Sequence, residues 1–172
     1  RYPTDCGGLL VSGGNMANMV GFWAARAAVA GDAIRTKGTP ADGRPLTVLA
    51  SGETHTWIQK ATDLAGLGTD AIRWVETDEE QRMDPSALEA ALDADIAAGR
   101  TPMMVVASAG SVSTGAVDPI RRISDICRER GVWLHIDGAY GGFAAVLPEA
   151  PSGLHHLALA DSVAVDPHKW LY

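Results

Sequence analysis

The sequence alternates between short, largely apolar runs and longer segments with helical periodicity, and this alternation constrains the fold more than any other feature. The apolar runs have the length of buried strands: Leu9–Val11, Leu46–Ala50, Ala71–Val75, Met103–Ala107, Val132–Ile136 and Ser162–Val165. The segments between them predict helices: Met16–Ala30, Thr54–Ala65, Ser86–Ala98, Ile120–Arg130 and a shorter one at Leu154–Leu159. This order predicts right-handed crossovers and therefore an α/β fold of three layers (αβα) with a mostly parallel sheet.

Two Asp-Pro pairs predict helix starts. Asp84 precedes Pro85 and Asp118 precedes Pro119, so each carboxylate is expected to cap a helix whose first turn contains the proline. The turn-rich stretch of residues 37–45 is the only segment that resembles a linker. The tryptophan and methionine residues of the first two predicted helices and of the third predicted strand are expected to serve packing alone: Met16, Met19, Trp23, Trp57 and Trp74.

Length and net charge limit the number of domains and the class of partner. The 172 residues are enough for one compact domain with its own core and too few for two. A net charge of -7, without clusters of Lys and Arg, argues against nucleic acid or an anionic membrane as main partner and favours a small molecule. Because the sequence lacks an initiator Met and stops shortly after Lys169, we expect residues 1–172 to be one large domain, truncated at both ends.

Cysteine and histidine spacing gives no sign of a disulfide framework or a metal site. Cys6 and Cys127 belong to no CxxC or Cys/His pattern, and His155 and His156 are adjacent, which is not metal-ligand spacing on a helix. The first residues also lack the basic and apolar segments of a secretory leader. We therefore expect a reducing, cytoplasmic location.

Five loops follow predicted strands or enter helices on the same side of the expected sheet. They are Ser12–Asn15, Ser51–His55, Ser108–Thr114, Asp137–Ala139 and Asp166–Lys169. In open α/β sheets, ligands bind in the crevice outside the carboxyl ends of the strands. The sequence therefore predicts one small-molecule site formed by all five loops.

Lys169 and Asp137 indicate which chemistry such a site would support. A lysine can hold an aldehyde as a Schiff base, and a carboxylate can keep a pyridine nitrogen protonated, which together suit a pyridoxal phosphate enzyme. The alternatives are a lysine that is simply exposed after a strand and an aspartate that only caps its own loop. Gly138 and Ala139 favour the first interpretation because they leave room for a flat ring.

The turn Ser12-Gly13-Gly14-Asn15 and His55 complete the candidate site. The glycine turn precedes a helix, so its backbone N–H groups are suited to a phosphate, although it is neither GxGxxG nor followed by GK[ST]. A packing role for such a turn is the alternative. The imidazole of His55 could stack on a planar cofactor from the side opposite Asp137, or it could be an exposed histidine without a role.

The chain resembles the large domain of the group II pyridoxal phosphate-dependent amino acid decarboxylases, within the fold type I (aspartate aminotransferase-like) superfamily. Five segments carry the resemblance: residues 12–18, 50–55, 107–115, 135–142 and 166–170. The most specific are His135-Ile-Asp-Gly-Ala-Tyr-Gly-Gly142 and Asp166-Pro-His-Lys-Trp170, which point to this branch over transaminases and cysteine desulfurases.

The resemblance implies a role for each matching residue around pyridoxal 5'-phosphate. The implied assignments are Lys169 for covalent attachment, Asp137 for the pyridine nitrogen, Ala139 below the ring, His55 above it, and Gly14, Asn15 and His168 for the phosphate. Ser111 matches a hydroxyl position near the cofactor, with Thr114 as the alternative. Asp166 stands where some members have Asn, and it is expected to bond to backbone because a carboxylate beside a phosphate is unfavourable.

The implied reaction is decarboxylation of an aromatic or acidic L-amino acid to the amine and CO2, catalysed in a homodimer of the full-length protein. Lys169, His55 and Asp137 are the implied catalytic residues. Two other functions stay open: a different fold type I enzyme, such as an aldolase, a C-C lyase or a transaminase, and a non-catalytic fragment that keeps the fold.

Overall fold

The computed structural model of the protein describes residues 3–38 and 43–171. Five strands form one sheet: Leu46–Ser51 (β1), Ile72–Val75 (β2), Thr101–Ser108 (β3), Trp133–Gly138 (β4) and Ser162–Val165 (β5). Their order is β2-β1-β3-β4-β5, and every neighbouring pair is parallel. The predicted α/β class and the parallel sheet are confirmed.

Five α-helices accompany the sheet: Gly13–Ala30 (α1), Ala33–Lys37 (α2), Trp57–Leu64 (α3), Pro85–Ala97 (α4) and Ile120–Arg130 (α5). Four short 3-10 helices cover Thr69–Ala71, Gly142–Val146, Ser152–Leu159 and Pro167–Lys169. Within residues 3–38 and 43–171, no helix combines the length and apolar character that crossing a bilayer requires.

The helices pack on both faces of the sheet, and each face has its own core. Phe22 of α1 and Ile58 of α3 pack with Val106 of β3 on one face. On the other face, the leucines of α4 and the isoleucines of α5 pack with Val105, the preceding residue of the same strand. Alternation of side chains along a strand covered on both faces explains why β3 is apolar throughout. The three predicted layers are confirmed.

The predicted strand at Leu9–Val11 is wrong. These residues have no regular structure, and Leu9 and Leu10 are 67% and 97% exposed. A run of three residues after two glycines gains too few hydrogen bonds to persist without a paired neighbour, and β5 forms the end of the sheet in the described part of the chain. The helix that follows begins at Gly13, before the predicted start at Met16.

The two Asp-Pro pairs behave differently. Asp84 caps α4 as predicted, accepting a 2.7 Å hydrogen bond from the Ser86 backbone N–H. Asp118 does not cap α5: its buried carboxylate accepts 2.7 Å bonds from the backbone N–H groups of Met83 and Ser108. It therefore joins the segment before α4 to the end of β3, and the predicted cap is wrong.

Other boundaries differ less. Residues 52–56 form a turn before α3, so this helix begins at Trp57 and not at Thr54, and the predicted short helix after β4 is a 3-10 helix at Ser152–Leu159. Of the predicted linker at 37–45, residues 39–42 lie outside the described residues.

Met19 and Trp57 are buried as predicted, but the packing role assigned to three other side chains is wrong, since they lie 37–49% exposed: Met16, Trp23 and Trp74.

Candidate active site

All five predicted loops meet at a cavity of about 420 Å³ at the carboxyl ends of the strands. Seven of the eight candidate residues line it: Gly14, Asn15, His55, Ser111, Asp137, Ala139 and Lys169. The eighth, His168, is exposed on the 3-10 helix Pro167–Lys169 and is not among the lining residues. The parallel topology explains the convergence of four of them, because the loops after β1, β3, β4 and β5 leave the same edge of the sheet, and the fifth, Ser12–Asn15, reaches the cavity at the start of α1.

Asp137 is the penultimate residue of β4, and three N–H groups bind its carboxylate. Oδ2 accepts from the Asn18 amide at 3.2 Å and from the Trp57 indole at 2.9 Å, while Oδ1 accepts from the Ala139 backbone at 3.1 Å. The alternative that Asp137 caps its own loop is correct for one oxygen only. The carboxylate also lines the cavity, where it can meet a cationic group.

Sequence reasoning missed Asn18 and Trp57 as site residues. Asn18 lies four residues after Gly14 on α1, so helical spacing places it on the same face as the residues that begin the helix. Trp57 is fully buried and was predicted to serve packing alone, yet its indole N–H binds Asp137. Its position two residues after His55 was the available signal.

His135 is a further residue that sequence reasoning did not assign to the site. It lies two residues before Asp137 on β4, so strand alternation puts both side chains on the face covered by α1. Its ring is completely buried and contacts Asn18 Oδ1 through Nε2 and Ser162 Oγ through Nδ1, both at 2.8 Å. Burial lowers the pKa of His135 to about 4, against the opposing attraction of Asp137, so the ring is neutral near pH 7.

Lys169 follows β5 on a short 3-10 helix whose first turn is closed by Asp166. The Asp166 carboxylate accepts a 3.2 Å hydrogen bond from the His168 backbone, so the expectation that it bonds to backbone is confirmed. Lys169 is exposed and lines the same cavity as Asp137. The amine and the carboxylate therefore face one site although 32 residues separate them in the chain.

Where Gly13 and Gly14 line the cavity, no side chain stands between its space and the backbone. A Cβ atom at Gly14 would lie 3.6 Å from Asp166 Oδ2 and 3.8 Å from the Ala139 methyl group, so Gly14 and Ala139 are packed neighbours on the cavity wall. Ser12 makes no side-chain cap, which leaves the first N–H groups of α1 without a side-chain acceptor from that residue. Such groups are suited to an anion.

His55 and Ser111 contribute the remaining predicted groups. The Nδ1 atom of His55 accepts a 3.2 Å bond from the Trp57 backbone, so the proton of the neutral ring is on Nε2. Ser111 is buried and its hydroxyl lies 2.8 Å from that of Thr114. Ser111 lines the cavity, whereas Thr114 is exposed and does not, so the structure favours Ser111 of the two alternatives.

The residues present fit pyridoxal 5'-phosphate. The cavity is lined by a carboxylate held by three donors, a lysine after the neighbouring strand, two small residues and a helix start. These groups match a ring nitrogen, an aldehyde, a flat ring and a phosphate. Glu53 also lines the cavity, and its buried Oε2 has no hydrogen-bond partner among residues 3–38 and 43–171. The same residues contain no cluster of side chains suited to a metal ion.

Comparisons with known proteins agree with this site. The profile of the pyridoxal-dependent decarboxylase conserved domain matches residues 2–172. An aromatic-L-amino-acid decarboxylase from Bacillus atrophaeus is 36% identical over 171 residues, which are 99% of this chain and 34% of that protein. Human cysteine sulfinic acid decarboxylase is 41% identical over 127 residues, covering 74% of this chain and 26% of that protein.

A solved structure shows the same fold. The crystal structure of mouse CSAD superposes with a TM-score of 0.90 at 36% identity, covering 95% of this chain and 34% of that one. The chain thus spans about a third of the length of the relatives it matches. The match of the profile along almost all of the sequence, together with the shared fold, establishes that the chain belongs to the pyridoxal-dependent decarboxylase family, as part of its fold type I large domain.

Proposed function

We propose that the protein carrying this sequence uses pyridoxal 5'-phosphate to decarboxylate an L-amino acid, releasing the amine and CO2. The observation that carries this proposal is that Lys169 and Asp137 line one cavity together with the glycine turn at the start of α1. Membership of the pyridoxal-dependent decarboxylase family supports it.

Each residue has a separate task in this proposal. The bound cofactor supplies an electron sink for the electron pair left when CO2 departs. Lys169 provides the amine that holds the aldehyde carbon, and Asp137 holds the proton on the ring nitrogen. His55 packs against the ring and Ala139 leaves space for it.

The phosphate end of the site has its own residues. Backbone N–H groups at Gly14 and Asn15 would bind the phosphate through the positive end of α1, and Ser111 lines the same cavity. The assignment of His168 to the phosphate stays a prediction, because its side chain is exposed beside Lys169.

For the substrate we propose an aromatic or an acidic L-amino acid. The two relatives named above differ on this point: one is named for aromatic L-amino acids and the other for cysteine sulfinic acid. The two names therefore support both substrate classes. A panel containing both classes is therefore required.

The experiment is product analysis on the intact polypeptide that carries this sequence. With cofactor present, we expect CO2 and the corresponding amine from at least one aromatic or acidic L-amino acid, and neither from the Lys169→Ala variant. A keto acid or an aldehyde as main product would assign the protein to another fold type I reaction. Absence of a visible absorption band after addition of pyridoxal phosphate would instead support a non-catalytic scaffold.

We also propose a homodimer, following the resemblance of the site motifs, and a cytoplasmic location, following the cysteine spacing of the sequence. Light scattering on the intact polypeptide tests the first point, and a monomer at micromolar concentration would contradict it. Fractionation of the source cells tests the second.

A further inference from the structure

The carboxylate of Asp137 is bound from two helices at once. Asn18 reaches Oδ2 from α1, and Trp57 reaches the same oxygen from α3. Both donor residues are at most 2% exposed, so neither donor side chain is open to solvent. The remaining oxygen accepts from the Ala139 backbone, which prevents the carboxylate from rotating.

The hydrogen positions behind Asn18 follow from chemistry. The Nδ2 atom faces two groups that only accept, the Asp137 carboxylate and the Gly14 carbonyl at 3.0 Å, so it must be the amide nitrogen. Oδ1 then accepts from His135, which places the proton of the neutral ring on Nε2. Nδ1 accepts in turn from the hydroxyl of Ser162.

The far end of this network is also determined. Ser162 uses its only proton toward His135, and its oxygen accepts a 2.8 Å bond from the Trp133 indole N–H. Every member therefore has one possible arrangement, and a fully satisfied buried network rigidifies its surroundings. From the Trp133 indole to Asp137, each successive hydrogen bond is donated toward Asp137.

We propose that Trp57 is a positioning residue that, with the Asn18–His135–Ser162 network, aims Asp137 at the cofactor's ring nitrogen. This inference rests on the proposed function. Its physical basis is that a hydrogen bond to a charged group contributes more than a neutral one, and that a carboxylate held by donors from two helices is oriented before the cofactor arrives. Trp57 thus acts on binding through Asp137.

The test compares two cofactors in the intact polypeptide: pyridoxal 5'-phosphate and its 1-deaza analogue, which has a C–H in place of the ring nitrogen. The dissociation constant of each is measured by equilibrium dialysis for the wild type and for Trp57→Phe. We expect the variant to weaken binding of pyridoxal phosphate about tenfold, the effect of one charge-assisted hydrogen bond, and to leave the deaza analogue within about twofold.

A structural role would give a different pattern. If Trp57 only supports the packing of α3, Trp57→Phe weakens both cofactors by the same factor, and the inference is wrong while the proposed function stands. If neither cofactor binds the wild type, the proposed function itself fails. Trp74→Phe is the matched control, since this indole is 49% exposed on β2, and it should change neither constant.

A second variant covers the possibility that the phenyl ring leaves a disruptive gap. Site-specific replacement of Trp57 by benzothienylalanine keeps the bicyclic shape and has sulfur in place of the N–H group. This variant should bind pyridoxal phosphate more weakly than the wild type does and bind the 1-deaza analogue equally well. Equal binding of pyridoxal phosphate by this variant and the wild type would overturn the inference.

Discussion

At the scale of single residues, Gly21 sets how closely α1 approaches the sheet. A Cβ atom there would lie 2.5 Å from Nδ1 of His135 and 2.6 Å from Cε1. The imidazole cannot withdraw, because Asn18 and Ser162 hold its two nitrogens. Glycine is thus required here by a close approach and not by its backbone conformation.

We expect Gly21→Ala to destabilise the protein. Alanine is favoured over glycine inside a helix by about 1 kcal/mol, but overpacking a core typically costs about 1–3 kcal/mol, and the clash with a fixed ring places this site at the upper end. Urea denaturation measures the change in the free energy of unfolding. An increase in stability would show that α1 can shift away from His135.

Gly14→Ala should leave the stability of the fold unchanged and weaken binding of the cofactor. Its new methyl group would make ordinary contacts, 3.6 Å from Asp166 Oδ2 and 3.8 Å from the Ala139 Cβ, so the fold should tolerate it. The same methyl group narrows the cavity at the proposed phosphate end, and we expect pyridoxal phosphate to bind about tenfold more weakly. Unchanged affinity, measured by dialysis, would place the phosphate elsewhere.

The site residues divide into those that sequence alone predicts and those it does not. Asp137 and Lys169 follow apolar runs, and parallel topology brings the ends of such runs together, so their proximity was predictable. The contacts of Asn18 and Trp57 depend on how α1 and α3 cross the sheet. Local patterns do not specify that geometry, and a tryptophan on the apolar face of an amphipathic helix predicts only a packing role.

At the scale of elements, the same Asp-Pro pattern predicted a helix cap correctly at Asp84 and wrongly at Asp118, because only the second carboxylate binds a partner distant in sequence. The Asp84 carboxylate binds the N–H two residues ahead, a contact that the local sequence determines. The Asp118 carboxylate instead binds Met83, 35 residues earlier in the chain. The strand prediction for Leu9–Val11 was wrong for the same reason as the Asp118 cap: a strand requires a paired neighbour, which its own sequence does not supply.

Asp118 should make stability depend on pH. Burial raises the pKa of Asp118 from its ordinary value of 3.8 to about 6, so between these two pH values the folded protein binds more protons than the unfolded chain. The contribution is therefore fully present below pH 3.8 and is lost as pH rises through about 6, with an upper limit of about 3 kcal/mol.

The measurement is the difference in unfolding free energy between the wild type and Asp118→Asn from pH 4 to 7. Asn has one acceptor oxygen for two N–H donors, so we expect a loss of about 1–3 kcal/mol at pH 7 and a larger loss at pH 4. Asp84→Asn is the control, since Asn caps helices as well as Asp does. A difference that does not vary with pH would contradict the raised pKa.

At the scale of the whole molecule, the cavity joins segments from nearly the full length of the chain. Its lining extends from Ser12 to Lys169 and draws on the loops after β1, β3, β4 and β5. A ligand that binds there is in contact with the start of α1 and with four loops at the carboxyl edge of the sheet. Binding should therefore stabilise the fold as one unit, by about 2.7 kcal/mol at a hundredfold excess over the dissociation constant.

The covalent part of that stabilisation can be separated from the rest. Pyridoxamine phosphate has the ring nitrogen and the phosphate but an amine in place of the aldehyde, so it cannot be attached through Lys169. In the wild type, pyridoxal phosphate should raise the unfolding temperature more than pyridoxamine phosphate at equal concentration. In Lys169→Ala the two shifts should become equal and stay above zero, because Asp137 and the start of α1 still bind the shared parts of both molecules. Thermal denaturation measures these shifts. If pyridoxal phosphate still raised the unfolding temperature of Lys169→Ala more than pyridoxamine phosphate did, another group would be receiving the aldehyde.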